Sequence, residues 1–376
     1  MSHDAVRILT VNGGSTSLKL ERYDLDGIPH AIADPPVPTY TAQPATDESD
    51  DGIAAAMREP VDVVAHRFVR LPDNVPAVIR LDAEAIAKIK GVEADAPLHD
   101  ASALHVVDGI RRRWPDVPQF AVSDSAFHRT MTAAATTYAI PRALTATGIR
   151  RIGFHGLSHE YAAHRGCAIA GLDVLHARVV TAHLGGGSSL CAIRDGASVD
   201  TTMGYTPLEG IPMATRSGSV DPGLLVHLLR TGMSVDELEK MLEKESGLLG
   251  ISGVSEDVRT LQSAAAHADA GARLALDVLA WRVRAALGAS IATLGGVDLI
   301  VFTGGIGEHA ADVRIAALEG GLGVGAVIRA GDNAAGEGRI SADNSTVAVA
   351  VVPAREGWQL ARPFGSPGRK RYRIYG

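Results

Sequence analysis

Apolar and polar positions along the chain fall into two patterns, one with the period of strands and one with the period of helices. Residues 6–11 (VRILTV) are rich in apolar side chains, Asn12-Gly13-Gly14-Ser15 interrupts them, and 17–23 (SLKLERY) alternates, which predicts a hairpin closed by a Gly/Ser turn. The same order returns at 178–184 (RVVTAHL), Gly185-Gly186-Gly187-Ser188-Ser189 and the outgoing LCAIRDG. TVNGGSTSLKLERYDLDG from Thr10 and TAHLGGGSSLCAIRDG from Thr181 are 171 positions apart in a chain of 376 residues, close to half its length. That offset predicts two copies of one unit, each opening with a hairpin.

Four further apolar runs, 61–66, 119–124, 297–304 and 347–353, read as strands covered on both faces. Amphipathic stretches at 82–90, 101–114, 158–170, 234–245 and 267–294 lie between them, so the class is α/β. Residues 27–50 are rich in Pro, Thr and Asp and read as a surface loop, and the basic end RKRYRIYG reads as a solvated tail.

Composition sharpens this picture in three ways. The length predicts two domains. Glycine is abundant, 41 of 376 residues, while aromatics are only 4 %, so many backbone positions need close approach or unusual dihedrals. A net charge of −7 argues against a polyanion-binding surface and hence against nucleic acid. The two cysteines, Cys167 and Cys191, are too few for a disulfide framework or a CxxC site, and no apolar run is long enough to span a bilayer. The expectation is a soluble, cytoplasmic protein without a membrane partner.

Chemistry concentrates in the glycine turns. Each offers backbone N–H groups at a strand end with no side chain in the way, the makings of a phosphate cradle. The first adds Asn12, Ser15, Ser17 and Lys19, the last three alternating to one side of an extended strand. A third cluster, Gly304-Gly305-Ile306-Gly307, follows a strand and precedes a helical pattern from about Glu308. Gly305-x-Gly307-x-x-Ala310 satisfies a relaxed dinucleotide fingerprint, which keeps an NAD-dependent oxidoreductase open. Its late position and the lack of an acidic strand end about 20 residues on favour an adenine nucleotide instead. No Gly-Lys dipeptide exists for a P-loop and no GxSxG for a hydrolase elbow, and His159 and His164 are spaced i, i+5, which disfavours zinc. His66-Arg67, His99, Asp124 with His128, His155, His159, His183 and Arg216 gather in the middle of the chain, and Arg67, Asp124 and His183 follow apolar strands, where open α/β sheets build sites.

In order along the chain, NGGSTSLK (12–19), HR (66–67), APLH (96–99), DSAFHRTM (124–131), GFHGLSH (153–159), HLGGGSS (183–189), MGYTPLEG (203–210), TRSGSVDP (215–222), FTGGIGEH (302–309) and VVPAREG (351–357) resemble the acetokinase family of short-chain carboxylate kinases. The resemblance implies two ribonuclease-H-like domains related by duplication, as in actin and the sugar kinases, with the active site in the cleft between them. It implies an N-terminal domain of residues 1–149, completed by 357–376, and a C-terminal nucleotide-binding and dimerisation domain of 150–356.

By the same resemblance, Asn12, Ser15, Ser17 and Lys19 form a first phosphate motif, and His183, Leu184, Gly185, Gly186 and Gly187 a second. Gly304, Gly305, Ile306, Gly307 and His309, with Asp257, Val258 and Arg259, hold the adenosine. Asn12 and Glu356 hold Mg²⁺, and Asp124 orients groups and the metal. Arg67 and Arg216 bind the carboxylate and the phosphoryl group in flight, His155 and Arg216 stabilise the transition state, and Val69, Leu98, Phe154 and Pro207 line the acyl pocket.

The implied reaction is reversible in-line transfer of the ATP γ-phosphoryl group to acetate, giving acetyl phosphate and ADP, in a homodimer. Propionate or butyrate as acceptor, or nucleotide binding without turnover, are the alternatives. Three departures bear on this reading: Gly186 and His309 replace asparagines usual in the family, Arg70-Leu71-Pro72 replaces a His-Gly-Gly segment, and the N-terminal third is shorter than usual.

Overall fold

The computed structural model describes residues 5–13, 18–25, 31–43, 49–93 and 100–365. Contacts divide the chain into two compact units, Met1–Ala126 with Arg355–Gly376, and Phe127–Ala354. The first thus ends at Ala126, ahead of the sequence boundary at 149, and residues after it bond within the second: His128 Nε2 meets the Phe154 carbonyl at 2.9 Å and Nδ1 meets Ser198 Oγ at 2.8 Å.

The first unit holds β1 (Val6–Gly13), β2 (Leu18–Leu25), β3 (Tyr40–Ala42), β4 (Val63–Phe68), β5 (Val78–Arg80) and β6 (Gln119–Ser123) in the order β3-β2-β1-β4-β6-β5. The hairpin β1/β2 and the edge pairs are antiparallel, whereas β1, β4 and β6 run parallel. The second unit holds β7 (Arg178–Leu184), β8 (Ser188–Arg194), β9 (Ala197–Thr201), β10 (Leu299–Thr303), β11 (Gly338–Arg339) and β12 (Ala348–Val351) in the order β11-β12-β10-β7-β8-β9. Read from its other edge, this is the same topology strand for strand, so the duplication predicted from the two hairpins is present. An antiparallel hairpin opening each sheet also rules out the parallel dinucleotide-binding sheet that the glycine fingerprint had left open.

Continuous apolar strands are buried on both faces because helices cover both. In the first unit one core joins Leu9, Val11, Leu20, Val64 and Ile110, and another joins Phe68, Leu71, Val107 and Ala121. In the second, the helix Ala270–Leu294 sets Leu279, Val283 and Leu287 against Val180, Leu190 and Phe302. Each such side chain contributes about 1.5–3 kcal/mol by its burial. The helix Gly156–Ala170 lies so close to β10 that a Cβ on Gly166 would come within 2.6 Å of Val301 Cγ2, and it carries the histidines of the next section.

Segment 27–50, expected to be loop, contains β3, a three-residue edge strand that pairing with β2 creates and no apolar pattern announces. The third glycine cluster is itself helical, Gly304–His309, so its helix starts four residues before Glu308. The stretch 267–294 begins its helix only at Ala270, capped by Asp269, whose side chain accepts from Ala272 N. The basic tail lies outside the described residues.

Candidate active site

In the first unit the C-terminal ends of the parallel strands deliver the polar residues, the end at which open sheets bind ligands. Asn12 closes β1, Arg67 lies in β4 one place beyond the Val11↔His66 pair, and Asp124 follows β6. These groups form one chain of hydrogen bonds. Arg67 Nη2 donates to Asp124 Oδ2 at 2.7 Å, Arg67 Nη1 to Asn12 Oδ1 at 3.3 Å, and Asn12 Nδ2 to Glu356 Oε2 at 2.6 Å. Asp124 is fully buried, and its own N–H is held by the Phe68 carbonyl at 2.8 Å, so Arg67 is aimed by a carboxylate that is itself fixed.

Lys19, on β2, pairs with Glu21 Oε1 at 3.1 Å, and Tyr23 Oη donates to Glu21 Oε2 at 3.2 Å. Glu21 is buried, and a Cβ on Gly357 would overlap Glu21 Oε2, so a side chain immediately after Glu356 would displace that carboxylate. Ser15, Ser17 and Leu98 lie outside the described residues. His66 is a core residue: its Nε2 meets Gln119 Oε1 at 2.8 Å, and burial pushes its pKa down to about 4.

In the second unit the Leu184↔Ser188 pair closes the β7/β8 hairpin around Gly185, Gly186 and Gly187. An ideal Cβ on Gly187 would lie 3.1 Å from His155 Nε2 and 3.7 Å from Arg216 Nη1, and one on Gly185 would lie 3.8 Å from His183 Nε2. A bare backbone turn therefore has two imidazoles and a guanidinium around it, a donor set suited to phosphoryl oxygens. His155 occupies the left-handed region, φ 57°, directly before the helix Gly156–Ala170. The Arg216 loop is fixed by its backbone: Met213 N donates to Arg216 O at 3.0 Å, Ser217 N to Leu242 O at 2.9 Å and Ala214 N to Gly186 O at 3.3 Å.

The third glycine loop adjoins the second. Gly304 has φ 76°, and a Cβ there would meet the Leu184 carbonyl at 2.6 Å. Arg314, 1 % exposed, anchors the short helix that follows by donating to the Gly307 and Glu308 carbonyls at 2.7 and 2.9 Å. Its Nε donates to Asn333 Oδ1 at 2.7 Å and its Nη2 to the Asn333 carbonyl at 2.6 Å. Ile306 packs on the core, whereas Gly305 and His309 are exposed.

Asp257 caps the helix Val258–Ala266 through Arg259 N at 2.8 Å and pairs with the Arg259 guanidinium, whose hydrogen bonds hold its pKa at about 2. Val258 turns its side chain into the core. Gly186 is exposed, with nothing within 4 Å of an ideal Cβ, so the sequence departure there leaves open space. Of the acyl-pocket candidates, Val69 follows β4 in the first unit and is half-buried, while Phe154 and half-buried Pro207 belong to the second. The segment before Gly210 is clamped to the body of its unit: Arg151 donates to the Thr201, Thr202 and Met203 carbonyls at 3.0, 3.2 and 3.0 Å and to Glu209 at 2.7 Å, and Tyr138 Oη donates to Glu209 at 2.6 Å.

Among the described residues no group of three or more His, Cys, Asp or Glu side chains could hold a metal ion. Mg²⁺ is commonly held through one or two carboxylates plus substrate phosphates and its own waters. Glu356, oriented by Asn12, fits that partial role.

Several participants were not singled out from the sequence. Glu21 is one, although the alternation Lys19-x-Glu21-x-Tyr23 puts all three on one strand face. Ser158, Thr181, Ser189, Arg314 and Asn333 are others, all buried polar groups defined by their partners.

The Acetokinase family matches residues 45–362 of the chain. An acetate kinase of Gloeobacter violaceus is 38 % identical over 95 % of this chain and 98 % of its own. Among solved structures, an acetate kinase of Porphyromonas gingivalis has a TM-score of 0.83 at 32 % identity, covering 95 % of this chain and 98 % of that one. A propionate kinase of Francisella tularensis has a TM-score of 0.84, also at 32 % identity and with the same coverage.

Proposed function

The chain belongs to the acetokinase family, and on that footing we propose that it transfers the γ-phosphoryl group of ATP to acetate, reversibly and in line, giving acetyl phosphate and ADP. One observation carries the reading most: the bare Gly185–Gly187 turn with His155, His183 and Arg216 beside it, a set of donors suited to phosphoryl oxygens. Phosphoryl transfer to a carboxylate asks for this. Acetate, with a pKa near the carboxylate value of about 4, is already ionised at pH 7 and needs no deprotonation. Catalysis then rests on alignment and charge neutralisation.

Arg67, fixed by Asp124, neutralises and orients the acetate carboxylate, and Asp124 takes no proton from it. His155 and Arg216 donate to the equatorial oxygens of the phosphoryl group as charge develops there. Asn12, Ser15, Ser17 and Lys19 bind phosphate oxygens, as do the backbone N–H groups of Gly185–Gly187. Gly304–Gly307, His309 and the Asp257–Arg259 corner hold the adenosine. Glu356 and Asn12 would hold Mg²⁺, which would neutralise charge on the nucleotide phosphates.

Val69, Leu98, Phe154 and Pro207 accommodate the acyl methyl. The propionate kinase neighbour supports a second reading in which a longer acid is preferred, since one methylene changes discrimination by only about 1–3 kcal/mol. We place the enzyme in the cytoplasm, consistent with its two buried, unpaired cysteines. A homodimer is supported by the helix Pro222–Arg230, which buries none of its residues and exposes Leu224, Val226 and Leu229. Among the described residues no helix is long and apolar enough to cross a membrane.

The test is trapping of acyl phosphate with hydroxylamine. ATP, Mg²⁺ and acetate should give the hydroxamate, with kcat/KM falling from acetate to propionate to butyrate. A preference for butyrate would contradict the pocket assignment, and ATP binding without hydroxamate from any of the three acids would contradict the enzyme assignment.

A further inference from the structure

The hydroxyl groups around His155 decide which of its nitrogens carries the proton. We propose that Thr181, His159 and Ser189 act together as positioning residues that hold His155 as the Nε2–H tautomer, the form in which its Nε2 can donate to a phosphoryl oxygen. The proposal rests on the transfer reading for its purpose, but the proton order follows from the geometry of the second unit alone.

Ser189 Oγ lies 2.8 Å from His155 Nδ1 and 2.8 Å from His159 Nε2, and His159 Nδ1 lies 2.7 Å from Thr181 Oγ1. Thr181, Ser189 and His159 are all 0 % exposed. A hydroxyl has a single proton and a neutral imidazole one donor and one acceptor nitrogen, so three orderings give every contact a proton; the one in which both imidazoles donate to Ser189 strands the Ser189 proton, and the other two run the chain in opposite directions.

In the first direction Thr181 donates to His159 Nδ1, His159 Nε2–H donates to Ser189, and Ser189 donates to His155 Nδ1. Every proton has an acceptor, and His155 is left with Nε2–H. In the second, His155 Nδ1–H donates to Ser189, Ser189 to His159 Nε2, and His159 Nδ1–H to Thr181. The Thr181 proton is then stranded, because His159 is the only side-chain hydrogen-bond partner of Thr181 among the described residues. Protonating His159 on both nitrogens strands the same proton. A buried donor without an acceptor loses more than one hydrogen bond normally contributes, so the first direction prevails.

The same accounting applies next door. Ser158, 1 % exposed, has His183 Nδ1 at 2.8 Å as its hydroxyl's partner, which makes His183 an Nε2–H tautomer too. The two rings lie with centroids 4.4 Å apart, and their Nε2 atoms border the same glycine turn at Gly187 and Gly185. Two imidazole N–H groups thereby join the backbone N–H groups of that turn without either ring carrying a charge.

Long-range ¹H–¹⁵N spectra of the full chain labelled at histidine nitrogen read the tautomers directly. His155 is assigned by the signals lost in His155→Asn, since asparagine tolerates the left-handed backbone at φ 57°. The expected wild-type spectrum shows His155 neutral with the proton on Nε2. Thr181→Val should mix the two tautomers and lower kcat about tenfold, leaving KM for ATP and acetate within about twofold, and Thr181→Ser should restore both. A wild-type His155 protonated on Nδ1, or a Thr181→Val protein with unchanged tautomers and kcat, overturns the proposal. If Thr181→Val does not fold, the wild-type spectrum decides alone. That spectrum needs no turnover, so a protein that fails to make acyl phosphate but shows the expected tautomers counts against the transfer reading and not against this one.

Discussion

Strands β1, β4 and β6 of the first unit and β7, β10 and β12 of the second are equivalent in register, since Thr10 pairs with Ala65 as Thr181 pairs with Val301. Followed two places further, Asn12 stands where the second unit has His183, and Arg67 stands where it has Thr303. Asp124 corresponds in the same way to Ala354. One duplicated frame therefore carries two chemistries at the same strand ends. The first unit puts full charges there, Arg67, Asp124, Lys19 and Glu356. The second puts bare backbone there, with Gly304 where the first has Phe68, and adds His183 from β7 itself and His155 and Arg216 from segments beside the strands. Phosphoryl transfer divides naturally in this way, because an anionic acceptor needs a paired cation and a nucleotide needs close backbone approach.

The largest expected effects remove an arginine from either half. Arg67→Ala and Arg216→Ala should each lower hydroxamate formation by about 10³-fold or more, the range over which an arginine acts on a transferring phosphoryl group. Replacing Gly304 probes the backbone half. Alanine there would combine an unfavourable φ of 76° with a Cβ 2.6 Å from the Leu184 carbonyl, so Gly304→Ala should lower stability by about 3–4 kcal/mol in urea unfolding.

Acid should act on the first unit through His66. Its folded pKa is about 4 against 6.5 for the free side chain, so the unfolded chain binds the proton more readily. The associated stability, up to about 3 kcal/mol, is present above pH 6.5 and is lost as pH falls toward 4. Unfolding free energies at a series of pH values across that window check the slope.

The smallest effects distinguish neighbours. Gly187→Ala would press a methyl to 3.1 Å from His155 Nε2 and should lower kcat about tenfold, whereas Gly186→Ala meets no protein atom and should leave stability unchanged and lower kcat less. Equal losses at both positions would show that His155 does not depend on that turn.

Much of the frame is legible in the sequence. Apolar runs and Gly/Ser turns mark eight of the twelve strands, all those that carry the candidate site among them, and the offset between Thr10 and Thr181 anticipates the duplication. The edge strands β3, β5, β9 and β11 were not legible, because two to five residues paired along an edge need no distinctive pattern. Arg67 and Asp124 were named separately, but their ion pair was not, since it joins β4 to the residue after β6. His159 stands out in the sequence as one of the clustered histidines and as a disfavoured zinc ligand, but its partners do not. Its link to Ser189 and Thr181 depends on how the helix Gly156–Ala170 packs over its sheet, which sequence spacing does not encode.

The most direct test of the division of labour is ATP binding measured by titration calorimetry, without acetate, beside hydroxamate formation in the same preparations. Arg67→Ala should bind ATP within about threefold of wild type while losing transfer by about 10³-fold, and Gly304→Ala should lose ATP affinity by at least about tenfold. Loss of ATP affinity in Arg67→Ala as large as that in Gly304→Ala would contradict the account, as would transfer retained by Arg67→Ala.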